Sequence, residues 1–233
     1  MTVITTLLGT AALGSGYWFW RKMRHQQRDQ FIASFVFPDR LRSKLQERYP
    51  QLTPIQTGEV LRGLGEYFQL CRMANGRMVA MPSQAVDLAW HEFILYTRQY
   101  RAFCRKGLGR FLHHVPHDVM PSQRSASEGI RRAWRLACLR ENLDPRSPTR
   151  LPLLFALDAQ LGIADGFHYR LDCGANPGSY RSGDAYCASH IGCGSGCASG
   201  CGGDSGSSSS GSDGGGDGGG CGGGGGDCNA QNL

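Results

Sequence analysis

Apolar residues fall in one unbroken run at the start of the chain, then recur at helical spacing, then almost cease. Residues 2 to 20 (TVITTLLGTAALGSGYWFW) carry no charge. At a helical rise of about 1.5 Å each they reach roughly 28 Å, close to one bilayer hydrocarbon core, which predicts a transmembrane helix. Tyr17, Trp18 and Trp20 close the run where amphipathic rings prefer the headgroup layer, and Arg21, Lys22, Arg24 and Arg28 follow. A cleaved leader carries its positive charge ahead of the apolar run, the reverse of this order. The expectation is therefore an uncleaved single-pass anchor over residues 1–29. The positive-inside rule then places the N-terminus outside and the rest in the cytoplasm. A buried helix of a globular domain, the competing reading, would show a polar stripe beyond threonine and serine.

Residues 30–172 alternate apolar stripes with turn signals, predicting a mainly α domain of four to five helices with little sheet. An apolar patch, FIASFVF (31–37), precedes Pro38 and a helix over 40–48 that Pro50 ends. Thr53 before Pro54 reads as an N-cap, and Val60, Leu61, Leu64, Tyr67, Phe68 and Cys71 continue a helix to about Met73. Asn75 and Gly76 mark a turn, and 77–81 (RMVAM) suits a short extended segment. The longest helix is expected over 83–106, where Val86, Ala89, Trp90, Phe93, Thr97, Tyr100 and Cys104 share a face until Gly107 and Gly109. Another spans 122–142 with Ile130, Trp134, Leu136 and Ala137 inward. A last one lies within 151–163 (LPLLFALDAQLGI), closed by Gly162 or Gly166.

Beyond Asp172 the composition changes to glycine, serine and cysteine, and most of the 34 glycines lie there. Such a chain buries too little apolar surface to offset its ordering entropy, so 173–233 is expected to be a disordered tail. It holds seven of the ten cysteines, with Cys193, Cys197 and Cys201 repeating every four residues. In a reducing compartment these thiols suit zinc capture, with His190 as a possible nitrogen ligand, or no fixed role, better than a disulfide framework. Zinc ribbons pair their cysteines as CxxC, which this spacing does not, so a flexible spacer or modification substrate competes with the metal reading.

Charge separates the two parts. Five aspartates against one arginine give the tail −4, so residues 1–172 carry +10 for the whole chain to reach +6. A basic domain behind a membrane anchor would meet anionic lipid headgroups, chiefly near Arg21 to Arg28, and a solvated basic surface without a partner is the bland alternative. No arginine-rich tract interleaved with aromatics points to nucleic acid.

Candidate chemistry lies on the strongest helix. Asp87 and His91 are four apart and share a face, and His113, His114 and His117 follow after its end, where a chain reversal could bring them back. Two imidazoles and a carboxylate suit zinc, with Asp87 as ligand or as orienter of His91. A hydrogen-bonded histidine at the core edge beside Trp90 is the competing reading. Nothing marks Cys104 as a catalytic thiolate.

The run VDLAWHEF (86–93), with Tyr100, Cys104, His113 and His114 behind it, resembles the glycine-rich domain-containing proteins. Their plant and bacterial members join a helical domain with an Asp-x-x-Trp-His motif to a glycine-rich tail. The likeness covers about residues 80–120, with the tail similar in composition only, and LPLLFALD looks closest to bacterial members. The plant motif often has a second histidine where this chain has Phe93. The resemblance implies a shared helical domain and no established reaction.

Two functions follow as expectations. One is a tethered scaffold, not an enzyme, whose helical domain binds a protein partner. The other is a metal-binding protein or metal-dependent enzyme using Asp87, His91 and His113 or His114.

Overall fold

The computed structural model describes residues 2–114, 123–171, 185–187 and 191, with side chains for 14–114, 127–171 and 191. All belong to one compact unit, residues 1–199; the remainder, 200–233, forms a second unit that lies outside the described residues. Cys193, Cys197, Cys201, His117, His190 and the proposed disorder of the tail also fall outside them.

Seven α-helices stand in order among the described residues: α1 (Thr2–Ala33), α2 (Asp39–Arg48), α3 (Pro54–Met73), α4 (Gln84–Ile94), α5 (Thr97–Phe103), α6 (Gln123–Arg140) and α7 (Leu153–Gln160). A π-helical turn, Cys104–Leu108, extends α5, and two three-residue strands, β1 (His168–Arg170) and β2 (Ala185–Cys187), pair in parallel. The chain is mainly α, but the anchor expected at its start is corrected. No helix among the described residues is long and apolar enough to cross a membrane, so the single-pass assignment falls, with its outward N-terminus and cytoplasmic domain.

The physical reason lies in α1 itself. Gly9, Gly14 and Gly16, with the threonines among them, lower the hydropathy of the uncharged run. The helix does not stop at Trp20 but continues 32 residues in all, through Arg21, Lys22, Arg24 and Arg28. Its last turns dock on the body: Ile32 is buried, Asp29 pairs with Arg72, and Gln69 Nε2 donates to the Asp29 carbonyl at 2.9 Å. Farther from the body, Tyr17, Trp18, Phe19 and Trp20 are all more than half exposed.

The apolar patch after α1 feeds the core. Phe35 meets Phe103 with ring centroids 4.7 Å apart, and Phe37 meets Phe93 at 5.3 Å. Phe68 of α3, 4.7 Å from Phe103, closes this aromatic cluster. α3 begins as its sequence predicts: Pro54 is the first helical residue, Gln56 N–H bonds the Thr53 hydroxyl, and Gln56 Oε1 accepts from Thr53 N–H. Glu66 on α3 then takes Arg140 of α6 through both guanidinium contacts, at 2.6 and 3.0 Å. That pairing holds the Arg140 guanidinium above its ordinary pKa.

Two elements differ from the expected pattern. The helix expected over 83–106 is broken at Tyr96, whose φ of −80° and ψ of 58° are not helical. The segment 77–81 joins no sheet among the described residues, and side chains take two of its carbonyls, Tyr67 Oη donating to Val79 O at 2.9 Å and Arg132 to Met78 O. β2, moreover, lies within the stretch read from composition as tail.

α7 carries the residue that fixes the site helix. Asp158 is 1 % exposed and accepts from the Ser83 hydroxyl (2.6 Å) and from the Gln84, Ala85 and Phe167 amides (2.7, 3.3 and 2.9 Å). Its carboxylate thus satisfies the open N–H groups at the start of α4, where negative charge is favoured. A Schellman turn ends α7: Ile163 N–H bonds Asp158 O at 2.9 Å across Gly162, whose φ of +62° a residue with a side chain adopts only with strain.

Candidate metal centre

α4 is anchored by Ser83, whose hydroxyl accepts from Val86 N–H at 3.2 Å, so the helical phase of Asp87 and His91 is set from the first turn. The four-residue spacing then stacks them: His91 Nδ1 lies 3.3 Å from Asp87 Oδ2. The third member arrives from beyond the π-helical turn. Gly109, at φ +74°, turns the chain out of that helix, and its position lies so close to the Arg28 guanidinium that a Cβ would collide with it. Residues 111–114 return past α4, and His114 Nε2 stops 3.1 Å from Asp87 Oδ1.

One nitrogen of each histidine and one carboxylate oxygen lie within 4.8 Å of one another. The imidazole centroids of His91 and His114 are 4.1 Å apart. Exposure is graded: the His114 side chain is 13 % accessible, Asp87 23 % and His91 47 %, so the group opens to solvent on the His91 side. Beneath it, Asp87 contributes to the negative field at Tyr67; burial first, then Cys71, then Asp87 hold that phenol neutral, well above its ordinary pKa.

Of the histidines singled out in the sequence, His91 and His114 join Asp87, while His113 does not. Its ring packs edge-on against Phe111 at 4.7 Å and the residue is exposed. Burial alternates along residues 111–114, exposed at 111 and 113 and intermediate at 112 and 114, so His114 turns toward α4 while His113 turns to solvent. Cys104 is no thiolate: burial pushes its thiol up. Cys71 is pushed up to about 12, again mainly by burial. The aromatic residues that hold His114, Trp90 and Tyr100, showed in the sequence as members of an apolar stripe and of the motif run, with no sign of their contact to it.

Two imidazoles and a carboxylate are a donor set of the zinc type. Ligands bound to one ion at about 2.0–2.1 Å stand roughly 2.8–3.4 Å apart at octahedral to tetrahedral angles. The two nitrogen-to-carboxylate distances, 3.3 Å to Oδ2 and 3.1 Å to Oδ1, fall in that interval but run to different oxygens, and with one donor atom per residue the set spans up to 4.8 Å, so the side chains must draw together to share an ion.

No curated protein and no solved structure matches this chain. A family pattern described as UCP032817-like matches residues 27–191, starting beyond the uncharged N-terminal run and taking in Asp87, His91 and His114. The match extends over most of the sequence, and the chain belongs to the UCP032817-like family.

Proposed function

We propose that this protein binds a divalent transition metal of the zinc class through Asp87, His91 and His114. The observation that carries the reading is the convergence of three donor atoms from two chain segments within 4.8 Å. Structural zinc sites close their shell with four protein ligands, whereas three, the number that converge among the described residues, leave a position for water or substrate. Half-exposed His91 puts that position at the solvent edge. The centre therefore suits Lewis-acid or water-activating chemistry better than a purely structural role.

The test is zinc titration by calorimetry on the full chain, with thiols beyond residue 172 capped by iodoacetamide. Cys71, Cys104 and Cys138 are buried in the fold and escape capping. One zinc per chain is expected, with loss of at least tenfold in affinity for Asp87→Asn and for His91→Ala. Absence of stoichiometric binding, or unchanged affinity in both variants, sinks the reading and leaves a hydrogen-bonded His–Asp–His cluster.

A second reading, a partner-binding helical domain, rests on the collar of Tyr17, Trp18, Phe19 and Trp20, 52–63 % exposed on α1. Contiguous exposed aromatic surface marks interaction sites. A photo-crosslinking residue in place of Phe19 should then give one discrete protein adduct in cells. A diffuse spread of products counts against it.

A further inference from the structure

His114 stands in a stretch that is neither helix nor strand, so something other than backbone ladders must hold it against Asp87. Leu112, two residues earlier, is held at its backbone. The Tyr100 hydroxyl donates to the Leu112 carbonyl at 2.6 Å, and the Leu112 backbone also hydrogen-bonds the Cys104 side chain. The direction of the Tyr100 proton is fixed by its partners. An indole N–H can only donate and a carbonyl can only accept, so the Tyr100 oxygen accepts from Trp90 Nε1 at 3.1 Å and its proton goes to Leu112 O, with the Cys104 side chain as a further partner of the hydroxyl.

Trp90 has a second contact. It sits on α4 between Asp87 and His91, and its ring meets the His114 imidazole edge-on, 4.5 Å between centroids. Both aromatic residues are buried, Trp90 at 4 % and Tyr100 at 1 % exposure. Apolar packing alone would require neither polar link, since a phenylalanine pair fills similar space without leaving an N–H and an O–H to be satisfied.

We infer that Trp90 and Tyr100 are positioning residues of the metal centre, setting the reach and ring orientation of His114 from the same helix that presents Asp87 and His91. The inference rests on the metal reading above and deepens it. Groups behind a ligand tune affinity by holding it in place, typically by 10- to 100-fold.

The experiment uses the full chain, thiol-capped as above, titrated with zinc and with cobalt(II), whose visible absorption reports ligand number and geometry. Tyr100→Phe keeps the ring and removes the hydroxyl; Trp90→Phe keeps an aromatic filler and removes the N–H. Each is expected to weaken zinc binding about tenfold and to alter the cobalt spectrum. Tyr100→Phe placed in His114→Ala is expected to cost no further affinity, because the residue acts through His114. Losses that add in the double variant overturn the inference, as does wild-type affinity with a wild-type cobalt spectrum in both single variants. Absence of binding in the unsubstituted chain overturns the metal reading itself and this inference with it, a result distinguishable from either of the others.

Discussion

The Ser83 hydroxyl donates to the Asp158 carboxylate across 2.6 Å and 75 residues of sequence, so the helix that presents Asp87 and His91 is anchored by another helix, α7. Asp158→Ala strips the acceptor from one hydroxyl and three amides at once. Unmet buried donors cost about 1–3 kcal/mol each where water cannot reach them, so the variant should lose at least ~3 kcal/mol. The midpoint of urea unfolding measures it. A loss below about 1 kcal/mol would mean that water replaces the carboxylate without cost.

Thr53→Ala addresses the reciprocal cap of α3. One half of that cap is the threonine hydroxyl, 3.3 Å from the Gln56 amide; the other, Thr53 N–H to Gln56 Oε1 at 2.9 Å, survives the substitution. A loss of about 1 kcal/mol is expected, and Thr53→Ser should retain most of it. Thermal unfolding of the two variants side by side checks the difference.

Gly109→Ala tests the turn that returns the chain to α4. The substitution meets positive φ and a Cβ position already filled by the Arg28 guanidinium. The αL penalty alone is about 1–2 kcal/mol, so stability should fall by that much or more. Metal affinity should fall with it, since His114 lies five residues downstream. Replacing Arg28 with alanine in the same chain should restore part of the stability and leave the backbone strain.

How much of this could be read from the sequence follows from what each signal measures. Thr53–Pro54 and Gly162 stood out because capping chemistry is local, and both act as expected. The break at Tyr96 did not, because Phe93 and Tyr100 fall on one face at seven-residue spacing whether or not the helix between them is continuous. β1 and β2 are three residues each, too short for an alternating pattern. The uncharged stretch of α1 suggested a bilayer span because absence of charge is conspicuous, whereas its glycines and threonines lower hydropathy without breaking the helix. At the site, spacing paired Asp87 with His91, but choosing His114 over His113 needed the register of 111–114, which Tyr100 sets through Leu112.

Alkaline pH should destabilise the fold through its buried thiols and phenols. Burial pushes the Cys71 thiol up to about 12; it pushes Cys138 up to about 11, with Glu141 and Asp144 adding to the effect. Burial also raises the Cys104 thiol and the Tyr67 and Tyr100 phenols. In each case the proton is held more tightly in the folded state than in the unfolded chain, where a thiol titrates at its ordinary value of 9.0. Between that value and the raised one the unfolded state binds fewer protons, so stability falls as pH rises. The contribution of these thiols is fully present below pH 9 and drains away toward 11 and 12. Urea midpoints should accordingly stay level near neutrality, as far as these groups decide, and drop steeply above pH 9.5, while Cys71, Cys104 and Cys138 react with Ellman's reagent at pH 8 only after denaturant is added. Rapid reaction of all three in the native chain would show that the core admits water, and the alkaline drop should then vanish as well.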